Sequence, residues 1–213
     1  AEDFDKAVEE YTAKLMREHE RIVFNGNGYS EEWPVEAEKR GLPNCKSIVD
    51  AIPALVDDTT VEMYEKFNVL SKAELEARED ILFEQYAGVR NIEALTMIEM
   101  ANKMIIPAAV KYTKKLADTV IAVKEAGADA SVQADMLSEV SGKLAEMKTA
   151  VKALEEVTAK AADAECIKCK AEEYKDDVMA AMAELRKPAD ELELIMPKEL
   201  WPMPTYGDLV FEL

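Results

Sequence analysis

Residues 137–161, LSEVSGKLAEMKTAVKALEEVTAKA, decide the fold. Within them Leu137, Val140, Leu144, Met147, Val151, Leu154, Thr158 and Ala161 step by three and four in strict alternation. A helix of about 3.6 residues per turn lays all of these side chains along one stripe. A stripe that recurs every ~3.5 residues is the seam by which helices lie side by side. The stretches on either side carry the same grammar. Before it come Ala109, Thr113, Leu116, Val120 and Val123; after it come Tyr174, Val178, Ala181 and Leu185. Ala126-Gly127-Ala128-Asp129-Ala130 supplies a tight reversal, with Ser131 as the expected cap of the next helix. The pattern therefore predicts three antiparallel helices sharing one apolar seam, an up-and-down bundle.

Upstream, Ser71-Lys72-Ala73-Glu74 reads as a capping box, in which hydroxyl and carboxylate each satisfy the other residue's backbone donor. It opens helical spacing that runs to about Lys124, and Pro107 predicts a kink or short break because it removes a donor and crowds the preceding turn. About 54 residues at ~1.5 Å each give a length of roughly 80 Å, against a diameter of about 45 Å for a compact chain of this size. The bundle is therefore expected to be elongated. The third helix is expected over about 166–186, with helical character fading beyond Pro188. The end, Trp201-Pro202-Met203-Pro204-Thr205-Tyr206-Gly207-Asp208-Leu209-Val210-Phe211, is predicted to be extended and packed down, on its own bundle or on something else, since closely spaced prolines stiffen it and its aromatics are too apolar for water.

Toward the N-terminus, Phe4, Ala7, Val8, Tyr11, Leu15 and Ile22 form one face of a helix over about 3–22. Asn25-Gly26-Asn27-Gly28-Tyr29-Ser30 breaks it. Ser30, followed by Glu31 and Glu32, reads as the N-cap of a short helix closed by Gly41. Smaller helical pieces are expected over 45–51, before Pro53, and over 60–67, capped from Asp57 to Thr60. The expected organisation is all-α: short helices and loops over 1–70, the long-helix bundle over 71–195, and the tail over 196–213.

Composition bounds the function. The 213 residues hold 26 Lys and Arg against 44 Asp and Glu, a net charge of −18. Phosphate backbones and anionic lipid surfaces are bound by cations, so neither nucleic acid nor membrane is an expected partner. The 49% hydrophobic content argues for a folded chain rather than a disordered one. Three cysteines, Cys45, Cys166 and Cys169, are an odd number and point to a reducing, cytoplasmic setting rather than a disulfide framework. Ala1-Glu2-Asp3-Phe4-Asp5 lacks both a signal-peptide pattern and an initiator Met, and is read as the start of a processed or excised chain.

Motifs for chemistry are sparse. The one histidine, His19, is expected to be a solvated helical residue, because a dimetal bundle needs a Glu three residues ahead of each of two histidines and that position here is Met16. Cys166-Ile167-Lys168-Cys169 has the spacing of zinc and redox pairs and makes Cys166 and Cys169 weak metal candidates. Its plainer reading is two small residues near a helix start, one facing the bundle. Asn25-Gly26-Asn27-Gly28 lacks the Lys-Ser/Thr of a phosphate loop and is read as a turn. Met97, Met100 and Met104 are read as core filler.

Three phrases have no generic explanation. They are Arg21-Ile22-Val23-Phe24-Asn25-Gly26-Asn27-Gly28-Tyr29-Ser30-Glu31-Glu32-Trp33 with Glu38-Lys39-Arg40-Gly41-Leu42-Pro43-Asn44; Asn91-Ile92-Glu93-Ala94-Leu95-Thr96-Met97-Ile98-Glu99-Met100; and Trp201 through Leu209. Together they resemble the C-terminal region of type III glutamine synthetases over nearly the whole chain. The match departs at Met203, where an aromatic is usual, and in the bundle helices. The residues carrying the resemblance are Asn25, Gly26, Asn27, Gly28, Tyr29, Trp33, Asn91, Glu93, Trp201, Pro202, Pro204, Tyr206, Gly207 and Asp208, all with an expected structural role.

The resemblance implies a parent that joins glutamate and ammonia using ATP and Mg or Mn, assembled as stacked hexameric rings. Its metal ligands are Glu and His on a curved sheet, for which this chain has no counterpart. The chain is therefore expected to be the helical, structural and oligomerising part, inactive alone, with no cofactor of its own. Its expected partners are the missing catalytic domain and other subunits of a homo-oligomer. The alternative is a free-standing helical adaptor that binds a protein partner.

Overall fold

A computed structural model of the chain describes residues 2–211, and among these every regular element is helical, with no strand. The chain divides into two compact units, Ala1–Asp50 and Ala51–Leu213. The division falls at residue 50 rather than 70, because the segments between these positions pack on the bundle: α4 (Asp58–Lys66) and the tight turn Ile52–Leu55 both lie against α5 (Lys72–Met100).

The first unit opens with α1, Glu2–Glu18, shorter than the expected 3–22 because the chain tightens into a separate turn over Glu20–Ile22. The predicted apolar face is present but uncovered: Phe4 is 72% and Tyr11 61% exposed, with Val8 and Leu15 exposed beside them. α2 spans Glu32–Lys39. Ser30 does not cap it, since its hydroxyl donates to the Asn27 carbonyl at 2.8 Å instead. Gly41 ends the helix as expected, at φ +69, with Leu42 N donating back to Ala37 O. α3 is brief, Ile48–Ala51.

In the second unit Pro53 does not stop the helical course but sits in the first positions of the Ile52–Leu55 turn, where a missing N–H costs nothing. Asp57 caps α4 by accepting from Thr59 N at 3.0 Å. The Ser71–Glu74 capping box forms as read, with Ser71 N donating to Glu74 Oε2 at 2.8 Å, and it starts α5. The helix then passes through a π-helical segment, Ala101–Ile105, into α6, Ile106–Glu125. Pro107 thus causes no break. A widened turn just upstream absorbs the lost donor, which is how such insertions relieve a helical proline.

Gly127, at φ +78, makes the reversal. The residue that tethers the start of α7 (Ser131–Ala162) is Asp129, which accepts from Ser131 N at 3.0 Å and Ser131 Oγ at 2.8 Å; Ser131 is the donor, not the cap. After a short turn the third helix runs as α8 (Ile167–Glu173), a second π-helical segment (Tyr174–Val178) and α9 (Met179–Ile195). Pro188 lies inside α9 and does not end it. An interior proline costs about 3 kcal/mol, and burial of Leu185, Pro188 and Leu192 on one face offsets that cost.

These helices form an up-down-up bundle. α7 is antiparallel to the third helix, as the Lys160–Asp177 (3.1 Å) and Lys143–Glu191 (2.7 Å) ion pairs show. The seam read from 137–161 is the core: Met147, Val151, Leu154 and Ala161 are fully buried, and Thr158 nearly so. Each buried Leu or Val contributes about 1.5–3 kcal/mol relative to exposure. On α6 the buried residue is Tyr112 rather than Thr113, whose hydroxyl turns to the Val110 carbonyl at 2.9 Å. Met97 packs against the core, whereas Met104 is exposed and fills nothing.

The tail is extended only in part. After the tight turn Lys198–Leu200, Trp201 enters the core cluster at 7% exposure, and the chain then winds into α10, Tyr206–Phe211. Leu209, Val210 and Phe211 are exposed, contrary to the expectation that the whole tail packs down.

Candidate functional site

The first phrase builds a stapled loop inside the first unit. Asn27 Oδ1 accepts from Tyr29 N at 3.0 Å, turning the chain, while Tyr29 itself points into solvent. The Phe24 and Trp33 rings stack at 4.6 Å between centroids. Gly26 permits that stack, since a Cβ there would meet the Phe24 ring at 2.5 Å. Arg40 closes the loop by donating to Val23 O (2.7 Å) and Arg21 O (3.3 Å), with its guanidinium over Trp33 and its Nε on Glu36 at 2.7 Å. The Arg40 bond holds the Glu36 carboxyl below its ordinary pKa. Asn25 and Arg40 face an open groove with Glu20, Arg21 and Val23. Arg40 is committed to carbonyls and a carboxylate, and these bonds hold the loop as a turn.

The second phrase lies on α5. Glu93 pairs with Arg90, whose guanidinium rests over the Tyr86 ring. Asn91 lines a cavity of about 280 Å³, floored by Ala87 and Gly88 and walled by Glu84, Lys170 and Tyr174. Tyr174 is 2% exposed, and burial raises its phenol pKa. The third phrase forms a capping box at the start of α10: Thr205 N donates to Asp208 Oδ2 at 2.9 Å, and Asp208 N donates to Thr205 Oγ1 at 3.2 Å. Asp208 also pairs with Lys198, and these bonds lower its pKa to about 2. Tyr206 N donates to Glu193 and the Tyr206 hydroxyl meets Arg186. Trp201, Pro204 and Tyr206 line a second, apolar cavity of about 280 Å³ with Ile105 and Leu209.

Within the second unit the structure keeps its two phrases in separate places. Asn25, Gly26, Asn27, Gly28, Tyr29 and Trp33 belong to the first unit, while Asn91 and Glu93 on the one hand, and Trp201, Pro202, Pro204, Tyr206, Gly207 and Asp208 on the other, serve separate places in the second. Cys166 and Cys169 are joined as a disulfide and both are exposed, so neither faces the bundle and neither offers a thiolate to a metal in this state. Among the described residues no three His, Cys, Asp or Glu side chains converge. His19 is exposed at the end of α1. Sequence reasoning placed Arg40 and Thr205 inside the phrases without a task of their own, and passed over Glu36 and Lys198. Two of these were readable: Arg40 stands four residues after Glu36 on a helix, and Thr205-x-x-Asp208 has capping-box spacing.

In these places the distinctive side chains hold turns and helix starts, and the chain is similar to known proteins. It is 35% identical over its full length to a glutamine synthetase of Butyrivibrio fibrisolvens, and 30% identical over 98% of its length to a type-3 glutamine synthetase of Dictyostelium discoideum. It is also 28% identical over 97% of its length to a glutamine synthetase of Bacteroides fragilis (strain YCH46). The chain spans only 31%, 29% and 31% of these three relatives. Residues 7–124 match the family described as "Glutamine synthetase C-terminal domain". The helical scaffold, its three signature phrases and this match together make the chain a member of the glutamine synthetase C-terminal domain family.

Proposed function

We propose that the chain is the C-terminal, structural part of a type III glutamine synthetase, a cytoplasmic ligase that joins ammonia to glutamate with ATP and Mg or Mn. The observation that carries this reading is similarity along essentially the whole chain to proteins of which it makes up about three-tenths. The remaining length holds the ligands for ATP and metal in this proposal, and the chain itself binds neither. Its role is to pack against that catalytic part and to help hold subunits together as stacked rings. The bare apolar face of α1, with Phe4, Val8, Tyr11 and Leu15, supports this role, because a stripe of that kind is normally covered by a partner surface. An acidic surface of −18 keeps such a segment soluble and leaves nucleic acid and membranes outside the proposed partners. No described helix is long and apolar enough to cross a membrane.

The test has two arms. The purified chain is assayed for γ-glutamylhydroxamate formation with ATP and Mg or Mn, and no product is expected. The longer protein encoded in the same reading frame is then compared with a version lacking the whole of this chain, α1 included. The intact protein is expected to be active and ring-shaped by light scattering, and the truncated one to lose assembly. Activity in the isolated chain, or a reading frame that encodes no catalytic portion upstream, would sink the proposal.

A further inference from the structure

The Cys166-Ile167-Lys168-Cys169 pair is absorbed neither by the scaffold nor by the proposed function. Its placement is specific. Cys166 is the residue that flanks the start of α8, and its Sγ accepts from Cys169 N at 3.0 Å. The two Cα atoms are 5.1 Å apart and the sulfurs are bonded. Both residues are exposed, so a small thiol or disulfide reaches them from solvent. The charged residues of this turn are Glu165, Lys168, Lys170 and Glu172, and Lys168 lies 4.0 Å from Glu172.

A stabilising staple works by closing a long loop in the unfolded chain. This bridge joins residues only three apart, so it has almost no loop to hold. The bundle also has its own core, in which neither cysteine takes part. What the turn does provide is a sulfur that receives a backbone N–H at a helix start, in an accessible place. These are the conditions that favour a thiolate and make a cysteine exchange rapidly.

We propose that Cys166 and Cys169 form a reversible dithiol–disulfide site that exchanges with glutathione-type disulfides, with Cys166 as the attacking sulfur. In the forward step the Cys166 thiolate attacks one sulfur of glutathione disulfide, forming a mixed disulfide and releasing one glutathione thiolate. The Cys169 thiolate then attacks the Cys166 sulfur, closing the internal bridge and releasing the second glutathione. Two protein thiols are oxidised, one glutathione disulfide is reduced to two glutathione thiols, and the two thiol protons pass to the released thiolates. Ile167 and Lys170, from the same turn, also line the cavity beside Asn91 and Tyr174. This inference does not depend on the chain being part of a ligase.

The experiment uses the full chain, equilibrated in buffers of graded glutathione to glutathione disulfide ratio, quenched with acid, unfolded and alkylated. Peptide mass spectrometry is expected to find Cys166 and Cys169 both labelled, and so three labelled thiols with Cys45, at the reducing end, and those two joined to each other without glutathione at the oxidising end, leaving at most the one thiol of Cys45 to label, with the slope of a two-electron transition between them. Three labelled thiols at every ratio, or one at every ratio, would overturn the proposal. In a second measurement, Cys169→Ser exposed to glutathione disulfide is expected to gain a mixed disulfide at Cys166 at least tenfold faster than Cys166→Ser gains one at Cys169. Equal rates would overturn the assignment of Cys166 as attacker. Circular dichroism of each variant checks that the helices are intact, and Ser at position 166 suits the residue that flanks a helix start.

Discussion

The helix α1 and the helix α7 are written in the same alphabet and meet different fates. Both carry apolar residues at helical spacing. On α7 the stripe from Val140 to Ala161 is sealed, with Met147, Val151 and Leu154 fully buried, whereas on α1 Phe4, Val8, Tyr11 and Leu15 stand exposed. Periodicity specifies a face; whether that face is covered depends on the presence of a complementary one. α7 finds its complement in α6 and α9 within its own unit. Within the first unit no complementary face covers α1.

The largest effect that sharpens this contrast is expected from Leu154→Ala. Leu154 sits at the centre of the sealed seam, and removing it should lower the unfolding free energy of the bundle by about 2–5 kcal/mol, read from urea denaturation followed by circular dichroism. A smaller loss is expected where the bundle starts. Ser71→Ala removes the hydroxyl side of the capping box and should cost about 1 kcal/mol in the same titration, with an unchanged urea slope.

The tail responds to pH. The Asp208 carboxyl is held at about 2, below its ordinary 3.8, by Lys198 and Thr205. A depressed carboxylate stabilises the folded form above its unfolded pKa and loses that contribution as pH falls through the folded one. The order of α10 should therefore be constant above about pH 4 and loosen between pH 4 and 2. Trp201 fluorescence reports it, and Asp208→Asn should flatten the response.

The smallest effect belongs to α1. Leu15→Ala in this chain should change stability by less than about 0.5 kcal/mol, while in the longer protein the same change should weaken assembly. A loss as large as that of Leu154→Ala would break the contrast between the two helices.

Much of the bundle was legible because its determinants are local or periodic: the Ser71–Glu74 box, the left-handed Gly41 and Gly127, and the 137–161 stripe. What was misread depended on competition between neighbours. Ser131 and Asp129 can both serve a helix start, and the side chain with two acceptor oxygens prevails. Pro188 looked like a stop because its cost is visible in sequence while the burial that offsets it is tertiary. The tail's helix was hidden by its prolines, although Thr205 and Asp208 were already spaced to start it. At the candidate sites, the sequence marked which residues were unusual but not their task. Gly26 matters for the ring of Phe24, and Asn91 for a cavity whose far wall comes from residues 165 to 174.

The two widened turns, Ala101–Ile105 and Tyr174–Val178, bear on how this family is compared. Each holds one residue more than an ordinary turn, without any loop. A relative built with a regular turn there would be one residue shorter in mid-helix, and an alignment would show a lone gap where secondary structure forbids one. Such gaps near 101–105 and 174–178 are to be kept rather than edited away, since forcing the columns to close would rotate every later position of that helix by about 100° and assign core residues to the surface.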